Sequence, residues 1–175
     1  MNTANPFASA PPPFIDVEAS GLGRGSHPIE VGIVLPDGAR HCWLIRPPEH
    51  WSHWDPAAET IHGISRARLH ALGRAPAEVA EALNEHLAGH TVYSDAWGND
   101  MPWLARLFDE AGQVQRFRLE SVRALLAETQ VASWHPTKEN LLRQLSCERH
   151  RASSDAMVLQ RTWLALCAEA QSDAA

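Results

Sequence analysis

Cysteine is scarce in this chain of 175 residues: Cys42, Cys147 and Cys167 are far apart, odd in number and form no C-x-x-C pair. That spacing excludes a disulfide framework and a cysteine zinc site, and leaves an expectation of reduced, mostly buried thiols. Long hydrophobic runs are missing too. No uninterrupted apolar stretch approaches the roughly 18 residues of a membrane helix, although 45% of the residues are hydrophobic and 21% charged. The opening MNTANPFASAPPP has neither a basic start nor an apolar core, so a secretory leader is not expected and a cytoplasmic protein is. Positive charge is also short. A net charge of −6 excludes a generic basic coat for phosphate backbones.

What is present begins with FIDVEASGLG, Phe14 to Gly23, where two carboxylates sit one residue apart in an apolar run. Side chains alternate along a strand, so Phe14, Asp16 and Glu18 share one face and Ile15 and Val17 the other. The Cα atoms of Asp16 and Glu18 would lie about 6.5 Å apart, and two unpaired anions that close repel. A positive group is expected between them.

The first thirteen residues read as a flexible arm, residues 14–171 as one domain and 172–175 as a tail. Ile29–Leu35 and His41–Pro47, joined by a Pro-Asp-Gly turn, read as two further strands that make three antiparallel strands with the first. Glu49–Arg74 has no sustained period and reads as a long loop with short helical turns. Apolar spacing predicts a helix over 75–89 closed by Gly89, a strand Thr91–Ser94 and a helix over 101–112. A strand at 116–120 and small helices at 122–128 and 138–145 follow. The last helix, within 153–170, is capped in this reading by Ser153 or Ser154. Strands first, then alternating helices and strands, predict an α/β fold with a mixed five-stranded sheet flanked by helices.

More acids punctuate the later elements. In YSDAWGND, Asp95 and Asp100 compete for a role at a strand-to-helix junction, and Asp100 is preferred because it opens the helix that contains Pro102. Helix capping is the bland alternative for either. In HRASSDA, His150 belongs on the loop before the last helix and Asp155 in its first turns. A loop histidine suits proton transfer, against the alternative of a surface histidine among ten. Oxygen-rich sites of this kind suit Mg²⁺ or Mn²⁺, and a pair of such ions can flank a phosphodiester displacement. A metal is therefore the expected partner of Asp16 and Glu18, and four acids committed to metals would account for most of the net negative charge.

With these motifs in this order, the chain resembles the DEDDh class of 3′-to-5′ exonucleases, the superfamily of RNase T and the proofreading exonuclease subunits, on an RNase H-like fold. FIDVEASGL resembles its first motif, NDMPWL its second and HRASSDA its third, while ETIHGIS (59–65) resembles a stretch found between the first two. The resemblance runs from Phe14 to about Trp163. It implies that Asp16, Glu18, Asp100 and Asp155 bind two divalent metal ions, Mg²⁺ or Mn²⁺, and that His150 is the base acting on the attacking water. Ala19, Ser20, Leu22 and His62 would contact the terminal nucleotide of a single-stranded 3′ end. Asn99 stands where an aromatic is usual in the second motif, and Ala19-Ser20 where many relatives carry two hydroxyl residues. The resemblance allows a homodimer and leaves any polymerase partner unspecified; a subunit that acts by docking onto a polymerase or another nucleic-acid enzyme is the competing reading. Trp51, Trp54 and Trp97 are candidates for stacking on bases or for the core. Arg143, Arg149, Arg151 and Arg161 are candidates for steering a phosphate backbone, or for solvated surface.

Overall fold

In the computed structural model, which describes residues 10–145 and 150–172, five strands and six α-helices follow one another in the chain. The strands are β1 Phe14–Ala19, β2 Pro28–Val34, β3 Arg40–Leu44, β4 Thr91–Ser94 and β5 Arg118–Ser121. The helices are α1 Pro56–His62, α2 Arg66–Leu72, α3 Pro76–Leu87, α4 Trp97–Glu110, α5 Glu128–Leu145 and α6 Ala152–Ser172, with a 3₁₀ turn at Val122–Leu125. The sheet runs β3-β2-β1-β4-β5; β2 is antiparallel to both β1 and β3, and β1, β4 and β5 are mutually parallel. The mixed five-stranded sheet is thus the one expected.

Strand alternation builds two cores. Ile15, Val17, Val31 and Ile33 point to one side, where they meet Val79 and Leu83 of α3 and Leu104 and Leu107 of α4. Phe14 and Val34 point to the other, against Trp134 of α5 and Ala156, Leu159 and Leu166 of α6. Asp16 and Glu18 share the face of Phe14 and so look toward α6. Their cross-strand partners on β2 are Gly32 and Glu30.

Gly32 decides how close α6 can come. A Cβ at this position would lie 2.0 Å from the Ser153 backbone nitrogen and 2.1 Å from the Ala152 carbonyl carbon. The missing side chain lets the first turn of the last helix rest directly on the strand beside Asp16. The N-terminus of α6 is capped by neither serine: the carboxylate of Glu30 accepts the Ala152 N–H at 2.8 Å. A fully buried acid on β2 thereby supplies from across the sheet what a local cap would have supplied.

Several local expectations need correction. The 49–74 segment contains two capped helices, α1 with Asp55 at its N-cap and α2 with Ser65. Helix α4 begins a turn earlier than expected and carries Pro102 internally, and the C-terminal pair of small helices is one continuous α5 beyond the 3₁₀ turn. In the proposed arm, Pro12 and Pro13 are pinned, their carbonyls accepting from Gln160 Nε2 and the Tyr93 N–H. Cys42 is exposed, Cys167 is buried and Cys147 lies outside the described residues. Trp51 is core, stacked on His27 with the Arg106 guanidinium 5.1 Å from its centroid. Trp54 donates to Glu59 at 2.7 Å, and Trp97, partly exposed, donates to the Leu119 carbonyl at 3.2 Å.

Replacing Gly32 by alanine should cost about 3 kcal/mol, the upper range for overpacking, because the clash is with backbone that cannot rotate away. Urea denaturation of Gly32→Ala beside the parent chain measures it; an unchanged midpoint would contradict the contact.

Candidate active site

Four carboxylates from three elements make up the candidate site. Asp16 and Glu18, both half-buried, come from β1. Asp100 comes from the first turn of α4, which follows β4, the parallel neighbour of β1. Asp155 comes from the first turn of α6, where its N–H and that of Ser154 donate to the Arg151 carbonyl. His150 precedes that helix with φ of 59°, a left-handed conformation uncommon outside glycine. A ring nitrogen of His150 and carboxylate oxygens of Glu18 and Asp155 all lie within 4.8 Å of one another.

The electrostatics show how little positive charge the cluster contains. Burial pushes the Asp16 carboxyl well above its ordinary range, and the negative charges of Asp100, Glu18, Asp155 and Asp95 push it further. Glu18 is raised to about 7 by burial and by Asp155 and Glu30, with Arg151 opposing. Asp100 is likewise raised to about 7, chiefly by burial, against the lowering effect of its Ser94 hydrogen bond. Arg151, a candidate for steering phosphate or for solvated surface, is forked onto Glu30 with N···O distances of 2.7–3.2 Å. Of the other arginines, Arg143 is exposed, Arg161 lines a separate groove with Pro36, Arg40 and Met157, and Arg149 lies outside the described residues.

Asp100 and Asp95 occupy different surroundings. Asp95 forms an ion pair with Lys138 and borders a small cavity with Trp134. Asp100 is 1% exposed; one oxygen accepts from the Ser94 hydroxyl, while Oδ1 has no hydrogen-bond partner although it is buried. An orphaned buried carboxylate oxygen costs a few kcal/mol unless something fills it. Hard oxygen donors plus one imidazole, with an oxygen left over, suit a cation such as Mg²⁺ or Mn²⁺. These residues therefore fit a divalent metal site.

Beside Glu18 opens a largely apolar cavity of about 270 Å³, lined among others by Ala19, Leu22, Ile61, His62 and Trp103. Leu22 is 70% and Ile61 59% exposed, an unusual display of aliphatic surface at one mouth. Gly21, with φ of 139°, bends the chain around it; a Cβ there would meet Asp55 Cβ at 2.6 Å. Asp55 ties this bend to α1, for its N–H donates to the Ser20 carbonyl and its side chain caps the helix by accepting from Ala57 N–H. His62 accepts the Ile64 N–H at Nδ1, at 3.0 Å, so its proton sits on Nε2, which is buried without a partner. Burial lowers its pKa and keeps the ring neutral.

Ala19, Leu22 and His62 thus border one cavity together with Glu18. Ser20 does not. It is buried, its hydroxyl lies 3.0 Å from His53 Nδ1 and accepts the His27 N–H, and its own N–H donates to the His27 carbonyl. Its place is in holding the loop. The residues that sequence reasoning passed over are Glu30, Ser94 and Trp103. Only Glu30 left a signal, a charge within the apolar run IEVGIVL.

No family model matches the sequence, and no curated protein matches it. Among solved structures the fold is similar to that of exonuclease I. The E. coli enzyme in complex with a dT13 oligonucleotide superposes with a TM-score of 0.67 over 92% of this chain and 41% of that chain, at 13% identity. A zinc-bound form of the E. coli enzyme with single-stranded DNA gives 0.66 over 89% and 40%, at 14% identity. A product-bound exonuclease I gives 0.65 over 88% and 42%, at 13% identity. The chain spans about two fifths of the length of these exonuclease I chains. Likeness at this identity establishes the fold: the architecture is the RNase H-like α/β sheet with helices on both faces.

The acid cluster should make the chelated protein sensitive to rising pH. The folded chain holds its protons up to about pH 7 at Glu18 and Asp100, whereas unfolded carboxyls release them near pH 4. Stability is then lost as pH rises through 7. His27, whose pKa burial lowers to about 4, acts only below its ordinary range and in the opposite sense. In EDTA, the melting temperature of the parent chain relative to that of Asp100→Asn should fall as pH rises from about 4 to about 7; a difference that stays constant over that range would contradict the electrostatics.

Proposed function

We propose that the chain is a metal-dependent 3′-to-5′ exonuclease that hydrolyses the terminal phosphodiester of single-stranded DNA or RNA and releases nucleoside 5′-monophosphates. The observation that carries this reading is the cluster of Glu18, Asp155 and the half-buried His150, with Asp16 and Asp100 as electrostatic neighbours and the buried Oδ1 of Asp100 left without a hydrogen-bond partner. Two divalent ions, Mg²⁺ or Mn²⁺, would be held by these four carboxylates and would supply charge neutralisation for the attacking and leaving oxygens. Support also comes from exonuclease I, which holds single-stranded oligonucleotides on the same fold and has been seen with zinc.

The chain's own residues have separable tasks. His150 takes the proton of the attacking water, from a place where Glu18 and Asp155 stabilise the imidazolium that results. The water oxygen bonds to phosphorus, the bond from phosphorus to the 3′ oxygen of the penultimate nucleotide breaks, and that oxygen leaves with a proton from solvent. Leu22 and Ile61 offer aliphatic surface to the terminal base, and the Nε2–H of His62 offers a donor to an oxygen of the terminal nucleotide. Ala19 leaves room at the cavity wall beside Glu18.

Incubation of the purified chain with 5′-labelled single-stranded DNA and RNA oligomers, with Mg²⁺ or Mn²⁺, tests the reading. Products shortened stepwise from the 3′ end are expected, abolished by EDTA and by Asp155→Asn, and reduced about 10²- to 10⁴-fold in kcat by His150→Gln. Intact oligomers with both metals would overturn the reading for free strands and favour the docking subunit.

A further inference from the structure

Glu30 has no place in the proposed chemistry, yet few residues in the fold are so completely committed. It is fully buried on β2, directly opposite Glu18 in the strand pairing. Its two oxygens receive four hydrogen bonds: Arg151 Nε at 3.1 and 3.2 Å, Arg151 Nη2 at 2.7 Å and the Ala152 N–H at 2.8 Å. The three donors that make them belong to the two residues that follow His150. Two residues further along β2, on the same face, Gly32 lets the backbone of Ala152 and Ser153 touch the sheet. Glu30 and Gly32 together therefore fix the backbone at the point where the chain leaves His150 and enters α6.

That fixation bears on one side chain in particular. His150 sits in a left-handed conformation that is unfavourable for a non-glycine residue, and such a conformation persists only where its surroundings impose it. Asp155 is held additionally by the helix, whose N–H groups bond back to Arg151. The orientation of His150 depends on the residue after it, and that residue is Arg151.

We propose that Glu30 is a positioning residue: by forking Arg151 and capping α6, it sets the backbone of His150 so that the imidazole meets Glu18 and Asp155. The proposal rests on the reading of His150 as the base. Glutamine at position 30 is nearly isosteric and can still accept the Ala152 N–H, but its amide would turn N–H donors toward the donors of Arg151. The fork is lost while the shape is kept. Arg151→Lys removes the fork from its half-exposed end and retains the charge.

The experiment compares the parent chain, Glu30→Gln, Arg151→Lys, His150→Gln and Glu30→Gln/His150→Gln. Cleavage of a 5′-labelled dT oligonucleotide with Mn²⁺ is measured well below each melting temperature, and the ring resonances of ¹⁵N-histidine-labelled protein are recorded without metal. Glu30→Gln should lower kcat roughly tenfold to a hundredfold with KM changed less than about threefold, and should shift or broaden the His150 resonance while leaving that of His27 in place. In the His150→Gln background the same substitution should cost less than about twofold. Arg151→Lys should give a smaller loss in the same direction, and decides the matter if Glu30→Gln does not fold. A folded variant with kcat within about twofold of the parent and an unmoved His150 resonance overturns the proposal, as does an equal loss with and without His150. If the parent chain cleaves nothing, the exonuclease reading fails, while the His150 resonance still decides whether Glu30 positions that ring.

Discussion

Like charges gathered where water is thin repel one another, and most of what is unusual in this fold is arranged around that repulsion. Asp16, Glu18, Asp100 and Asp155 lie within one another's electrostatic reach, and burial and mutual repulsion raise the carboxyls of the first three. Local sequence cannot hold such a group together. Each acid is therefore mounted on an element secured elsewhere: β1 at the centre of the sheet, α4 through its apolar face, and α6 through the opposite core. The two apolar layers, each contributing on the order of 25 cal/mol per Å² buried, supply the stability that the acid cluster spends. A chain of ordinary surface charge could adopt the same sheet without the cluster, but not the cluster without the sheet.

The nearby cations are conspicuous for being taken. Arg151 is forked onto Glu30, Lys138 onto Asp95, and Arg106 is bound to the carbonyls of Gly25 and Ser26. Each neutralises or braces something beside the cluster, and no such pairing satisfies Asp100 Oδ1. A protein selected only for stability would turn one of these cations inward. Leaving the oxygen open while pairing its surroundings is the arrangement that a bound cation requires.

How much of this was legible in the sequence varies with the distance over which each feature is decided. The alternation in FIDVEAS placed Asp16 and Glu18 on one face correctly, because a strand's period is intrinsic to its backbone. The three opening strands and the last helix were legible for the same reason. Helix α4 starts earlier than Pro102 suggested because Trp97 gains a hydrogen bond to Leu119 and Asp100 one to Ser94, contacts made across the fold. The cap of α6 was assigned to serines beside it, when an acid more than a hundred residues away supplies it. The ion pair of Arg151 was not legible because nothing in HRASSDA reveals Glu30. Spacing finds the acids; only the pairing of β1 with β2 reveals what sets the last of them in place.

The order of the chain carries one further meaning. Asp16 lies in the first strand and Asp155 in the last helix, and that helix rests on the two strands made first. During synthesis the sheet's opening hairpin must wait, one face bare, until nearly all of the remaining chain has emerged. A chain cut within α5 would keep Asp16, Glu18 and Asp100 but would lack Asp155 and the helix that rests on β1 and β2. Completion of the acid cluster is in this sense tied to the docking of α6 on the strands made first.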